Sequence, residues 1–90
     1  MTPGAMEKLL DALRDVASMD EDRDAGRFQR LVAAAHEALG GIDKRLSEPL
    51  GVSRTTVLRW CAGTATAHPL MRPAVYRRLA LLVERSMRVM

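Results

Sequence analysis

The chain has 90 residues, 48% of them apolar and 28% charged, with one cysteine and a net charge of +3. That is enough for one domain with one core and too little for two; the apolar share excludes a disordered polymer, and the lone Cys61 excludes an internal disulfide. The charge is divided: residues 1–26 carry seven acids against three bases and residues 27–90 eleven bases against four acids, so a body suited to a polyanion follows an acidic beginning.

Phe28, Trp60 and Tyr76 are the only aromatics among many Leu, Ala, Arg, Glu and Met, a palette that favours helices over strands. An all-α fold of about five helices is expected. The first spans roughly residues 4–18: Met6, Leu9, Leu10, Leu13, Val16 and Ala17 recur at helical spacing, with Glu7, Asp11, Arg14 and Asp15 on the other face. Asp20 to Asp24 holds no apolar residue and reads as a solvated connector or as the acidic start of the next helix. The second helix carries Phe28, Leu31, Val32, Ala35 and Leu39 inward and ends at Gly40-Gly41, where glycine accepts the left-handed backbone of a helix C-terminus.

Asp43, as N-cap, opens a short third helix that turns Leu46 and Leu50 inward and stops at Gly51. Pro49 has no N–H and is expected to kink that helix or hold it to about two turns. Ser53 suits the cap of a fourth helix, about Arg54 to Ala62. Gly63 to His68 is a small, polar loop, and Pro69 and Pro73 flank the start of a last helix, about Pro73 to Met87.

Two short helices meeting across Gly51-Val52-Ser53 have the features of a helix-turn-helix: a small residue where the helices pack, a glycine in the turn and buried apolar residues that fix the crossing angle. Ser47 is the small residue, Gly51 follows at the turn, and Val57 and Trp60 lie one helical turn apart on the second helix. Leu46, Leu50 and Val52 complete the expected buried set. The stretch Leu46-Ser-Glu-Pro-Leu-Gly-Val-Ser-Arg-Thr-Thr-Val-Leu-Arg-Trp60 resembles the helix-turn-helix of the Cro and phage-repressor-like (XRE-type) transcriptional regulators. The similarity covers about residues 26–88 as a five-helix arrangement, and its diagnostic part is the central fifteen residues.

The resemblance implies a lambda-repressor-like bundle in which the helix opening at Ser53 enters the major groove of DNA. Arg54, Thr55, Thr56 and Arg59 are then the residues that read bases. The chemistry points the same way, because positions 54, 55 and 59 face away from Val57 and Trp60, and arginine donates two hydrogen bonds to O6 and N7 of guanine. Phosphate contacts are expected from Lys44, Arg45 and Ser53, and from Thr64, Thr66, His68 and Arg72 in the loop and at the start of the last helix. Two core helices meeting at Gly51 with no DNA role is the plainer alternative; the cluster of Arg54 and Arg59 beside Lys44 and Arg45 favours the DNA reading.

Neither histidine forms a zinc-like spacing with Cys61, so no metal and no cofactor is expected, and Cys61 beside Trp60 reads as a small buried hydrophobe. Arg77, Arg78, Arg85 and Arg88 read first as a solvated face. Residues 1–22 read as an extension and 23–90 as the DNA-binding domain. The extension has three competing uses: a homodimer contact, which is favoured, a cover for its own domain, or an acidic surface for RNA polymerase or another protein. The last helix is the rival dimer contact, through Val75, Leu79, Leu82, Val83 and Met87.

The expected function is a sequence-specific regulator of transcription, acting as a dimer on double-stranded DNA and most simply as a repressor. An activator touching polymerase and a DNA-tethered interaction module, such as an antitoxin or anti-activator, are the alternatives. An enzyme is not expected, since the chain offers no nucleophile with paired acid and base, no phosphate-cradling glycine loop and no metal cluster. With no secretory h-region and no apolar run able to span a bilayer, no membrane partner is expected and the setting is the cytoplasm, on the nucleoid.

Overall fold

A computed structural model describes residues 1–89; Met90, the end of the expected 23–90 segment, lies outside them. Five helices follow in order: α1 Pro3–Ala17, α2 Ala25–Ala38, α3 Lys44–Leu50, α4 Arg54–Ala62 and α5 Arg72–Val89, with no strand among the described residues. Four of them fall within residues 26–88 or nearly so, and α1 makes the fifth.

α1 begins at Thr2, whose hydroxyl accepts from the Ala5 N–H at 3.2 Å, with Pro3 in the first turn where a missing N–H costs nothing. The whole predicted stripe from Met6 to Ala17 is buried, and it is buried against the chain's own α5. Arg77 donates to the Ala17 carbonyl at 2.9 Å and Arg14 pairs with Glu84 at 3.4 Å, so the two helices run antiparallel. Of the three uses weighed for this helix, the apolar stripe serves the cover for its own domain. The radius of gyration, 11.8 Å, agrees with the roughly 12 Å of a compact chain this long, as a packed α1 requires.

The rest of the core comes from Phe28, Val32, Ala35 and Leu39 of the α2 segment, Leu46 of α3, Val57 and Trp60 of α4, and Tyr76, Leu79, Ala80 and Val83 of α5. Phe28 stands at the aromatic centre, edge-on to Trp60 with ring centroids 5.3 Å apart and 5.7 Å from Tyr76. Val75, Leu82 and Met87 are half-buried against the same cluster, so the apolar residues of α5 weighed as a rival dimer contact pack on this one core.

The acidic connector is corrected at one residue. Asp24 does start α2, accepting from the Arg27 N–H at 2.9 Å, but Asp22 is fully buried rather than solvated. Its carboxylate accepts from the Tyr76 hydroxyl, from Arg27 Nη2 at 2.5 Å and from the Asp24 N–H at 3.0 Å. Its own N–H donates to the Pro69 carbonyl at 2.9 Å, and its carbonyl accepts from Arg72 Nη1 at 2.6 Å. Burial alone would push this carboxyl up; the hydrogen bonds from Tyr76, Asp24 and Arg27, with the charge of Arg27, overcome that and hold it below the ordinary value of 3.8. Burial, with the adjacent carboxylate, pushes the Tyr76 phenol well above its usual range. This cluster ties the connector to both α2 and α5. No described helix is long and apolar enough to cross a membrane.

Candidate nucleic-acid interface

α3 is seven residues long, about two turns, and keeps Pro49 inside it. The expected side-chain cap at Asp43 does not form. Asp43 is itself helical (φ −54°, ψ −40°), whereas a capping side chain needs an extended backbone to reach forward, and its carboxylate turns back to His36 Nε2 at 2.7 Å instead. At the other end Gly51 takes φ +69°, its N–H bonds the Glu48 carbonyl at 3.2 Å, and the Val52 N–H bonds the Ser47 carbonyl at 3.0 Å.

Ser53 then opens α4 from extended backbone, its hydroxyl accepting from the Thr56 N–H at 3.0 Å. Leu46 and Ser47 of α3 and Val57 and Trp60 of α4 are buried as the motif requires. Leu50 and Val52 are only half-buried and Gly51 is exposed, a correction to the expected set. They lie at the turn that joins the two helices, where Gly51 acts through its backbone angle and not through packing.

The C-terminal end of α4 is held by a contact that no local sequence pattern signals. Gln29 Nε2 donates to the Cys61 carbonyl at 3.3 Å, and its amide group occupies the space beside Gly63, where a Cβ would lie 2.7–2.9 Å from it. Gly63 also needs its left-handed φ of +76° to close the helix. The Cys61 thiol is half-buried, and burial followed by the charge of Asp43 pushes its pKa up, which keeps it a thiol.

With α4 anchored at both ends, Arg54, Thr55, Leu58 and Arg59 form its outward face, all exposed. α4 contains no acidic residue, and neither Arg54 nor Arg59 has a carboxylate in salt-bridge range among the described residues. Three of the four predicted readers therefore share one cationic face. Thr56 does not join them: it is half-buried and its hydroxyl lies 2.9 Å from that of Ser53. Leu58, absent from the predicted set, sits between them, and its spacing of four from Arg54 and three from Thr55 is the sequence signal for it.

The predicted phosphate contacts divide. Thr64, Thr66 and His68 are exposed in the loop after α4. Lys44 and Arg45 are exposed as well, but they line a groove with Leu39, Ile42 and Leu82 to which α4 contributes nothing, and Arg45 donates to the Leu39 carbonyl at 3.1 Å. Arg72 is a correction. It is buried, and its guanidinium donates to the Asp22 carbonyl, to the Ala67 carbonyl at 2.9 Å and to Thr66 Oγ1 at 3.1 Å, stacked over Phe28, so it organises the loop from inside. Among the described residues no three metal-ligating side chains come together.

Ser53→Ala should cost about 1 kcal/mol in thermal or urea unfolding through loss of the α4 cap, while Ser53→Asp, which can cap equally well, should leave stability near that of the parent. No protein-family model matches this chain, and neither a curated protein nor a solved structure matches it.

Proposed function

We propose that the chain is a sequence-specific regulator of transcription that binds double-stranded DNA through α4, acting as a dimeric repressor on an operator in the cytoplasm. The observation that supports this reading is the outward face of α4. It carries two guanidinium groups without a carboxylate partner among the described residues, and a threonine, on a helix fixed at its start by Ser53, across a glycine turn from a second short helix. Such a pair presents the first turn of the second helix to the major groove. Arg54 and Arg59 have the donors for the O6 and N7 acceptors of guanine, Thr55 suits a base edge or a thymine methyl, and the exposed Thr64, Thr66 and His68 would be the contacts to the backbone. Two half-sites about one helical turn apart would let a dimer occlude a promoter.

Contact with RNA polymerase or another protein through α1 would use its exposed acids, Glu7, Asp11 and Asp15, because its apolar stripe is buried. Removal of residues 1–22 would strip the core, so the test of that contact is charge reversal at those three positions.

Arg59→Ala and Thr55→Ala test the DNA reading on a duplex enriched from random sequence. Loss of a bidentate arginine contact is worth ~1–3 kcal/mol, so Arg59→Ala should weaken binding about 5- to 150-fold while a salt-sensitive, sequence-indifferent affinity persists. Parental affinity in both variants would remove α4 from the groove. Ser53→Asp separates the roles further: stability holds, and DNA affinity falls because a carboxylate now faces phosphate.

A further inference from the structure

Leu58 is half exposed at the middle of the outward face of α4, flanked on the helix by Arg54, Thr55 and Arg59. A single exposed leucine on a protein surface is ordinary. This one lies within a cationic face that has no acidic residue along the helix, which suits a polyanion that also presents something apolar at that point. The edges of DNA bases in the major groove offer one apolar group, the C5-methyl of thymine. A membrane surface is a poor fit, since the neighbouring face residues are charged or hydroxylic and supply no further apolar area.

We infer that Leu58 is a specificity-determining residue that packs on a thymine methyl, with the guanines met by Arg54 and Arg59 beside that thymine. The inference rests on the DNA reading of α4. Four residues of helix rise about 6 Å, so the thymine falls within about two base pairs of the base that Arg54 meets. Leu58 adds discrimination that arginine alone does not give, because a guanidinium selects guanine while a branched apolar side chain selects the presence of a methyl group at the neighbouring pair.

The test uses the full chain and the duplex enriched from random sequence, with each thymine of a half-site replaced in turn by deoxyuridine, which removes the methyl group alone. At one position binding should weaken about 4-fold, the loss expected for one methyl group returned to water. Leu58→Ala should bind the thymine and deoxyuridine duplexes equally, with a circular dichroism spectrum and melting curve like those of the parent because the side chain is exposed. An enriched duplex whose binding ignores every thymine methyl overturns the role of Leu58 and leaves the DNA reading standing. A Leu58→Ala variant that keeps the methyl preference overturns that role in the same way. Failure to enrich any duplex overturns the DNA reading and this inference with it.

Discussion

Trp60→Ala is expected to lower the midpoint of thermal unfolding by roughly 12–40 °C. The indole is buried, meets Phe28 edge-on with an interplanar angle of 75°, and through Phe28 is coupled to Tyr76 at the centre of the core. Truncating such a ring loses its transfer free energy and leaves a cavity that a packed helical core cannot fully close, ~3–5 kcal/mol in comparable cases. A domain has ~5–15 kcal/mol in total, and for a domain near this size each kcal/mol moves the midpoint by about 4–8 °C. The loss also frees α4, since Trp60 and Val57 are its two buried side chains. A melting curve unchanged by the substitution would place the ring outside the core.

Asp22→Ala should cost about 3 kcal/mol, read in urea or thermal unfolding. Removing one partner of a buried ion pair typically costs ~3–5 kcal/mol. The Arg27 side chain is 34% exposed, so its charge regains water and the cost falls at the low end of that range. The Tyr76 hydroxyl, buried with its ring, loses its acceptor outright. Asp22→Asn keeps an acceptor for Arg27 and Asp24 and should cost less, about 1–2 kcal/mol. Acid tests the contribution of the carboxylate charge itself. Because the folded-state pKa of Asp22 is depressed, its contribution is present above the unfolded-chain value near 3.9 and is lost as pH falls through the lower folded value. The gap between parent and Asp22→Asn should therefore close on acidification below about pH 4. A gap that is constant with pH would mean that the carboxylate charge contributes nothing.

Much of the scaffold is legible in the sequence because it follows local rules. The α1 stripe repeats at helical period and is buried in full, Ser53 caps α4 as its side chain and position suggest, and Gly40, Gly51 and Gly63 each take a positive φ at or just after the end of a helix. The outward placement of Arg54, Thr55 and Arg59 follows from the inward placement of Val57 and Trp60. What stays hidden depends on partners far along the chain. Asp22 sits in the most polar stretch of the sequence and is buried because Tyr76, 54 residues away, meets it. Arg72 has the chemistry of a phosphate ligand, and a carbonyl that claims it belongs to Asp22, 50 residues away. Asp43 has the chemistry of a cap, but its own helical backbone and the nearby His36 decide its use. Leu58, by contrast, is apolar by type, yet its spacing of four from Arg54 and three from Thr55 already sets it on their face.

Sequence-specific binding through α4 is tested most simply by selection of random duplexes on the purified full chain at near-physiological salt, followed by sequencing of the bound pool. The expected result is an enriched, symmetric motif with half-sites about one helical turn apart, containing guanines and a thymine at the positions that lose definition in Arg59→Ala and Leu58→Ala. A bound pool indistinguishable from the starting pool would contradict it, since the outward face of α4 would then read no sequence.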